Sequence, residues 1–445
     1  MPIAKHLQDE GNKIIVGIVE SVNDLKIEEE KDNEKQEDKK QRLSNHDGII
    51  KKYTLSNVMD LLKSVKDSDK QNYFFFFDFN VLYKISEDIL KMGFKKGLFP
   101  TKAYYDLEKE RDLAKRFIKK YYPRIKVAEY FSFNKIEDGL RKLQQSNDIY
   151  VLKSNGDFGE TFVPRTDDLI IAKKQISYCL NKFKNEYEKG GFILEKKIQN
   201  CIEITPVLLF YDGVPLYSIL EFENKHYGSG NIGSQKGGNQ VISVQTDIDC
   251  EINKIAFPEI VYKLAKQQIG LSIYDSGLLY DGRNFWFTEF CAMRYGWDGI
   301  FSEMVMTGDN KPFVGEYFES IMNKKNPIKN KYGSAIRLFN YEGDREDTLS
   351  PKDGGILTWE KSIENNLFLY NVRKQEDHIV DTADKDFVAT ITASGDSLEE
   401  TVRKLYKRVD KFNFEKLYYR PVFDFLSKDY KTSIPNRIEA ISEFL

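Results

Sequence analysis

The stretch ENKHYGSGNIGSQKGG, residues 223–238, carries five glycines within eleven positions from Gly228 onward. Glycine has no side chain and adopts positive φ at little cost, so the backbone amides of such a segment can approach an anion closely. The spacing does not match the P-loop or the dinucleotide-binding fingerprint. A plain flexible loop would have the same composition. The stretch therefore predicts a loop whose role depends on the residues around it.

Charged residues surround this glycine-rich stretch in the order of the chain. Glu223, Lys225 and His226 lie at its start, and a predicted strand pair further along ends in Glu289, with Arg294 shortly after it. A carboxylate at a strand end can bind a hard cation such as Mg²⁺, and a guanidinium can hold phosphoryl oxygens. A surface ion pair would show the same pattern. The order of these residues along the chain favours magnesium and phosphate chemistry, and a surface ion pair stays the alternative.

A lysine upstream could contact a nucleotide. Lys153 ends the predicted strand DIYVLK (148–153) and precedes SNGDFGETFV (154–163), a glycine-containing turn. A lysine there can reach a phosphate that the amides of the turn cover. Lysines at strand ends also snorkel to solvent, which is the competing interpretation.

Two acids and a lysine surround the exit of another predicted strand. Glu195 and Lys197 come first and Glu203 follows. The interval between the acids would suit one group near an adenine and the other on the ribose hydroxyls, if the chain between them crosses the nucleotide. An exposed charged hinge is the alternative.

The first hundred residues alternate between predicted helices and strands, which is typical of an α/β domain. Helices are predicted at 3–11 and 56–65, and buried strands at 13–20 and 72–78. Residues 26–42 are almost purely charged and amide residues and predict a solvated helix or mobile insertion. Domains of this kind normally open with a strand and a glycine loop. We therefore expect a reduced N-terminal α/β domain over 1–99 that lacks its first strand.

The rest of the chain predicts two further domains. Over 100–330 the predicted elements are a helix at 107–121, strand-like runs at 126–133, 148–153, 191–196 and 203–211, and two strands within 272–289 around a turn at Asp281. After about residue 330 come short strands at 367–371 and 387–393 and an amphipathic helix at 397–409, which opens with a capping box. These short strands and the helix predict a small C-terminal α+β lobe over 331–445.

Composition excludes several classes of protein. Lys and Arg (67) nearly balance Asp and Glu (70), and a formal charge of -3 gives no general attraction to nucleic acid or anionic membrane. The four cysteines have no CxxC spacing, and no apolar run approaches the ~20 residues that span a bilayer. These features predict a cytoplasmic protein. The sequence does not indicate the oligomeric state, and a homodimer is the default assembly.

Taken in order, the segments resemble glycinamide ribonucleotide synthetase, an ATP-grasp enzyme, from about residue 100 to 425. PTKAYYDLEKERDLAKRF (100–117) resembles the entry into the grasp, with Arg111 in the place of a nucleotide-contacting lysine. YVLKSNGDFGETFV (150–163) is similar to the ATP lysine and phosphate loop, which makes Lys153 the ATP lysine. Glu160 and Thr161 stand where the family's loop has a second lysine.

The resemblance continues through the hinge and the glycine-rich stretch. FILEKKIQNCIEIT (192–205) is similar to the adenine hinge, which implies that Glu195 and Lys197 lie at the purine edge and that Glu203 contacts the ribose. Residues 223–238 keep the family's lysine and glycines in register. The resemblance implies the following roles there: Lys225 is catalytic, and Glu223, Gly237 and Gly238 bind substrate. Glu223 and Asn224 replace the family's Asp-His.

The resemblance also covers the metal site and the C-terminal lobe. TEFCAMRYG (288–296) looks like the family's metal and reaction-centre motif, so Glu289 would bind Mg²⁺ and Arg294 would act at the reaction centre. Cys291 stands where the family has a metal-binding Asn, and thiol is a poor magnesium ligand. Asp275, on the preceding strand, is a second candidate magnesium ligand. FVATITASGDSLEETVRKLYKRVDKFNFEKLYY (387–419) resembles the family's C-terminal lobe.

The resemblance implies the ATP-grasp fold, with a lid subdomain at about 125–200, and ATP and Mg²⁺ as cofactors. It implies that a carboxylate attacks the γ-phosphate to give an acyl phosphate, and that an amine then forms the amide. The family's ribose-phosphate loop has no counterpart here, and Trp297 and Asp298 replace a family Asp-Pro. We therefore expect either the family reaction or ligation of a different amine or acid. An ATP-binding homologue without turnover is the alternative.

Overall fold

The computed structural model describes residues 1–19, 45–155, 161–290, 299–309, 311–340, 355–382, 387–415, 417–428 and 433–445. Several sequence predictions fall outside these ranges: the charged insertion 26–42, Glu160, Cys291, Arg294, Trp297 and Asp298.

The N-terminal region contains helices α1 (Pro2–Asp9), α2 (Leu55–Lys63) and α3 (Tyr83–Lys91), and the parallel strands β1 (Val16–Ile18) and β2 (Lys52–Thr54). The side chain of Thr54 caps α2 by accepting a hydrogen bond from the amide of Asn57 at 3.2 Å. The helices predicted near 3–11 and 56–65 are confirmed. The predicted strand at 13–20 is wrong in length and burial, because β1 has three residues and none of them is buried.

The phenylalanine-rich segment 72–78 is not the buried strand that its sequence predicts. It makes an isolated bridge at Phe75, and its side chains are half-buried. Phe74 and Phe76 both pack on Phe318 of the main core, with ring centroids 5.2 and 5.7 Å away, while Phe75 faces a smaller N-terminal cluster. The apolar run is unbroken in the sequence, but its side chains alternate between two cores instead of building a sheet.

The helix predicted at 107–121 is two helices, α4 (Lys102–Lys109) and α5 (Arg111–Tyr121). The chain breaks at Glu110, whose φ of -94° and ψ of 93° are not helical. Because of this break, Arg111 begins a new helix. Arg111 and Lys115 then lie one turn apart on the same face of α5.

A small sheet lies within the predicted lid range. After the short strand β3 (Ile125–Lys126), the strands β4 (Tyr130–Phe133), β5 (Tyr150–Ser154) and β6 (Phe192–Lys196) form an antiparallel sheet in the order β4-β6-β5. Helices α6 (Ile136–Gln145), α7 (Leu169–Lys182) and α8 (Lys184–Gly190) share a buried cluster with this sheet. The strands predicted at 148–153 and 191–196 are confirmed.

The central sheet holds most of the core. Its first strands are β7 (Ile202–Tyr211), β8 (Val214–Gly228), β9 (Ile232–Thr246), β10 (Leu271–Asp275), β11 (Gly277–Tyr280) and β12 (Phe285–Glu289). Helices α9 (Glu251–Ala256) and α10 (Glu259–Gln267) lie between β9 and β10, and α11 (Gly299–Met304) and α12 (Val314–Met322) come after β12. Consecutive residues of β7 from Val207 to Phe210 are all fully buried, so this strand is covered on both faces. Three strands, not two, occupy 272–289, because Ser276 separates β10 from β11.

The C-terminal region continues the central sheet. Its elements are β13 (Tyr332–Asn340), β14 (Ile356–Trp359), β15 (Leu367–Leu369), β16 (Val372–Gln375), β17 (His378–Asp381), β18 (Phe387–Gly395), α13 (Leu398–Val409), β19 (Phe412–Asn413), β20 (Leu417–Tyr418), α14 (Phe423–Leu426) and α15 (Ile434–Ala440). The central order is β15-β18-β13-β9-β8-β7-β11-β12-β3, with β10 beside β7 and β20 beside β13. The lobe boundary predicted at 331 therefore falls beside β13, which pairs with β9. Ser397 caps α13 as predicted, accepting from the amide of Glu400 at 3.2 Å.

Candidate active site

Glu289 is the last residue of β12 and lies among three cations. Arg111, the first residue of α5, forms an ion pair with it. Burial would raise the pKa of Glu289, but the charges of Arg111, Lys153 and Lys225 hold it well below its usual range. Glu289 is therefore a carboxylate at neutral pH, available to bind a cation.

Lys153 connects the β4-β6-β5 sheet to β12. In the β5 and β6 pairing Val151 lies opposite Glu195, which puts Lys153 and Glu195 on one face of the sheet as diagonal neighbours. The Lys153 ammonium contacts Glu195 Oε1 at 3.3 Å and donates to the carbonyl of Thr288 at 3.3 Å. Both charged side chains are buried. The lysine predicted to bind ATP phosphate thus points toward the strand that carries Glu289.

A second lysine holds the same acid and was not among the candidates from the sequence. Lys115 is fully buried and forms an ion pair with Glu195 Oε2. Its ammonium lies 5.3 Å from the ring centroid of Tyr130 and 5.9 Å from that of Phe287. Burial lowers the pKa of Lys115 to about 8, although Glu195 opposes this shift. The signal in the sequence was its place one turn after Arg111, beside the buried position Ala114.

Lys225 lies between two acids on neighbouring strands. Its ammonium contacts Glu203 Oε1 of β7 at 2.7 Å and Glu223 Oε2 of β8 at 3.4 Å. Burial lowers the pKa of Lys225, but Glu203, Glu223 and Glu289 more than offset this and raise it well above its usual value. Lys225 is therefore a permanent positive charge at neutral pH and not a general base.

The glycine-rich stretch is a hairpin and not the loop that its composition predicts. Strands β8 and β9 run through it, and their pairing steps from Asn224 opposite Gln240 to His226 opposite Gln235. Over this step β8 advances by two residues and β9 by five, so β9 bulges beside Lys225. Gly237 lies in the bulge with a φ of 75°, a conformation that glycine adopts without strain, and Gly238 follows it.

Arg437 of α15 supports the arms of this hairpin from the C-terminal end of the chain. Its buried guanidinium donates to the carbonyl of Glu223 at 3.0 Å, to Asn224 Oδ1 at 2.9 Å and to the carbonyl of Glu203 at 3.4 Å. Hydrogen bonds from one arginine thus hold the backbone of both acids that contact Lys225. Asn224, which replaces a family histidine, serves the architecture of the hairpin.

A buried ion pair holds the tip of the hairpin. Arg420 Nε contacts Asp424 Oδ2 at 3.1 Å, and both side chains are fully buried. Arg420 also donates to the carbonyl of His226 at 3.0 Å. Asp424 Oδ1 accepts from Ser229 Oγ at 3.0 Å and from the amide of Gly230 at 3.1 Å.

Two predicted site residues point elsewhere. Lys197 donates to the carbonyl of Pro164 at 3.0 Å and contacts Asp167 at 3.4 Å. Asp275 is buried at the end of β10, where its charge acts on Glu303 of α11. Within the described residues no group of three or more His, Cys, Asp or Glu side chains is arranged to hold a metal ion. The nucleotide role of Lys197 and the magnesium role of Asp275 stay predictions.

Solved structures match the fold of this chain. The biotin carboxylase of Campylobacter jejuni, solved as a β,γ-ATP complex, matches with a TM-score of 0.57 and 13% identity over 94% of this chain and 89% of that chain. The phosphoribosylamine–glycine ligase of Thermotoga maritima matches with a TM-score of 0.55 and 18% identity over 73% of this chain and 81% of that chain. The chain has the ATP-grasp fold. The fold class predicted from the sequence is confirmed.

Two more comparisons agree with this ATP-grasp assignment. The phosphoribosylamine–glycine ligase of Clostridium acetobutylicum is 24% identical over 335 residues, which are 72% of this chain and 76% of the relative. The biotin carboxylase domain of the Hydrogenobacter thermophilus 2-oxoglutarate carboxylase, a dimer with MgADP, ADP and bicarbonate, has a TM-score of 0.56 and 12% identity over 94% of this chain and 88% of that chain. No protein-family profile matches the chain. The resemblance to the phosphoribosylamine–glycine ligases is confirmed.

None of the helices formed by the described residues has the length and apolar character needed to span a bilayer.

Proposed function

We propose that this protein is an ATP-dependent carboxylate–amine ligase that works through an acyl phosphate. The observation that carries the proposal is the ionised Glu289 at the end of β12, on which the charges of Arg111, Lys153 and Lys225 all act. A carboxylate among cations suits a magnesium–triphosphate group, which brings both signs of charge. The ATP-grasp fold and the resemblance to phosphoribosylamine–glycine ligases support the same assignment.

The donor set at this position fits ATP and Mg²⁺. Mg²⁺ is commonly held by one or two carboxylates together with substrate phosphates, so a single ionised Glu289 suffices on the side of the protein. When bound, Mg²⁺ would neutralise charge on the phosphoryl oxygens. Arg111 and Lys153, which now contact Glu289 and Glu195, would exchange part of these contacts for phosphate oxygens. Arg294 is proposed to act at the reaction centre, on the resemblance alone.

Lys225 contributes charge and not proton transfer. In the proposed reaction a carboxylate oxygen of the acid substrate bonds to the γ-phosphorus while the bond to ADP breaks. The amine then bonds to the acyl carbon, phosphate leaves, and the nitrogen loses a proton. Negative charge accumulates in the first step, and an ammonium with a strongly raised pKa is suited to neutralise it. Glu203 and Glu223 fix the position of that ammonium.

The substrates are a carboxylic acid and an amine that meet beside the β8–β9 hairpin. Glycine and phosphoribosylamine are the first pair to test, because the chain resembles ligases of that name. Glu223 and Asn224 depart from the family motif, and this departure supports a different acid or amine. Gly237 and Gly238 are proposed to let the substrate approach the backbone in the bulge.

The test is release of ADP and phosphate by the purified protein with Mg-ATP. A panel of amino acids, other small carboxylic acids and amines, with phosphoribosylamine generated in place, is added in pairs. A ligase gives ADP in amounts equal to the amide formed, and it does so with selected pairs. The proposal fails if Mg-ATP binds and no pair stimulates phosphate release.

An ATP-binding homologue without turnover is the second candidate. Its support is the direct ion pair of Arg111 with Glu289 and the presence of Thr161 in the segment where the family has a second phosphate lysine. Such a protein would bind ATP and change its thermal stability, without consuming it under any pair of substrates.

A further inference from the structure

Lys115 is a fully buried cation to which the proposed reaction assigns no role. The two oxygens of Glu195 are divided between two lysines, since Oε2 pairs with Lys115 and Oε1 contacts Lys153 at 3.3 Å. The electrostatic influence of Lys153 also reaches Lys115. One carboxylate therefore serves as counter-ion to both ammonium groups.

Helix α5 carries two cations to two different acids. Arg111 reaches Glu289 on β12, and Lys115, one turn later, reaches Glu195 on β6. The Lys115 ammonium also lies 5.9 Å from the ring centroid of Phe287, two residues before Glu289 on β12. Through these two charges helix α5 joins the β4-β6-β5 sheet to strand β12, which carries Glu289.

We infer that Lys115 is a positioning residue for Lys153 and sets how firmly Glu195 holds that lysine. With Lys115 in place, Glu195 already has a full counter-charge, and the Lys153 ammonium is left able to transfer to a nucleotide phosphate. Without Lys115, the buried carboxylate of Glu195 keeps Lys153 as its counter-ion, and these two side chains bind each other more tightly. Lys115 then controls ATP affinity without contacting ATP. This inference rests on the proposed function, because it concerns the same nucleotide site.

The first experiment compares Lys115→Met with Lys115→Arg and the wild type. Lys115→Met keeps the length of the side chain and removes its charge. We expect the KM for ATP to rise about tenfold, which corresponds to one charge-assisted hydrogen bond to the nucleotide, while the KM for the acid and amine stays unchanged. Lys115→Arg restores the charge and recovers most of the ATP affinity.

The matched control is Lys119→Met. Lys119 lies one further turn along α5, is exposed, and approaches the same Tyr130 ring at 5.1 Å. It should leave the KM for ATP unchanged. Equal ATP affinity in Lys115→Met and Lys119→Met would overturn the inference, as would an equal rise in the KM of all substrates.

A second comparison separates positioning from folding. Glu195→Gln removes the shared charge, so in that background the further change Lys115→Met should alter binding of a non-hydrolysable ATP analogue less than twofold by titration calorimetry. A tenfold loss in the Glu195→Gln background would show that Lys115 does not act through Glu195. If Lys115→Met alone does not fold, the comparison of Glu195→Gln with and without Lys115→Met still tests the inference. A wild type that binds the analogue but consumes no ATP with any substrates contradicts the ligase proposal and leaves this comparison intact.

Discussion

Arg111 forms an ion pair with Glu289, so the first residue of helix α5 is tied to the last residue of strand β12. A break in the helical backbone at Glu110 starts this new helix at Arg111. A helix continuing through Glu110 would have no N-terminus there. At this helix N-terminus Arg111 contacts the acid that is proposed to bind magnesium.

Replacement of Glu289 by glutamine should remove ATP turnover and leave the fold intact. The variant keeps the shape of the side chain but loses the charge that balances Arg111, Lys153 and Lys225. We expect kcat with Mg-ATP to fall at least ~100-fold, as for loss of an electrostatic group at a reaction centre. The measurement is ADP release, with circular dichroism as the check on folding. The exposed Glu259→Gln serves as control, and near-wild-type turnover in Glu289→Gln would remove Glu289 from the site.

Much of this site could be predicted from the sequence because its residues lie at strand ends. Lys153, Glu195 and Glu289 stand where apolar runs stop, and the order of those runs along the chain supports the resemblance that assigns them to one site. Lys115 could not be found in this way, since a lysine on an amphipathic helix usually reaches solvent. Its burial depends on Glu195, which lies 80 residues further along the chain.

The hairpin of the glycine-rich stretch could not be predicted from the sequence either. A strand is recognised by alternating apolar residues, and residues 226–238 have little such alternation. The pairing is imposed from outside, by Arg437 and Arg420 on the carbonyls of β8 and by the long apolar run of β8 before it. In 72–78 the opposite holds, because an unbroken aromatic run forms an isolated bridge at Phe75 instead of a strand.

Replacement of Arg437 by methionine should loosen both acids that hold Lys225. The guanidinium donates to the carbonyls of Glu223 and Glu203, and its loss removes two hydrogen bonds from a charged group, worth about 1.5–3 kcal/mol each. We expect a lower melting temperature together with a raised KM for the acid or amine substrate. Arg437→Lys should recover part of the stability but little of the KM effect, since an ammonium cannot span the same three acceptors. Unchanged kinetics in Arg437→Met would contradict the link between the C-terminal helix and the hairpin.

Glu303 gives the protein a pH dependence of stability with a defined sign. Burial raises the pKa of Glu303 from 4.5 to about 8, the charge of Asp275 adds to this, and the hydrogen bond from Tyr217 partly opposes it. Between these two values the folded state keeps a proton that the unfolded chain has released. The folded state therefore loses up to about 1.4 kcal/mol of stability for each pH unit as the pH rises through this window.

The variant Glu303→Gln should not show this loss. The amide cannot ionise and can still accept the hydrogen bond from Tyr217, which is 2.9 Å long in the wild type. Urea unfolding at pH 5 and at pH 7.5 measures the effect, and the variant should gain stability relative to the wild type at the higher pH. The exposed Glu443→Gln should follow the wild type. Parallel pH profiles for Glu303→Gln and the wild type would place the titration of Glu303 outside this window.

Replacement of Gly237 by alanine should separate backbone strain from substrate binding. Gly237 has a φ of 75° in the bulge beside Lys225, and alanine there costs about 1–2 kcal/mol. Gly282 is the matched control, because its φ is 93° and no atom lies within 4 Å of an added Cβ. Both variants should lose similar stability by thermal unfolding. Only Gly237→Ala should raise the KM for the acid or amine, by roughly tenfold if substrate placement shifts. Equal kinetics in the two variants would mean that the bulge shapes the hairpin and leaves the substrate untouched.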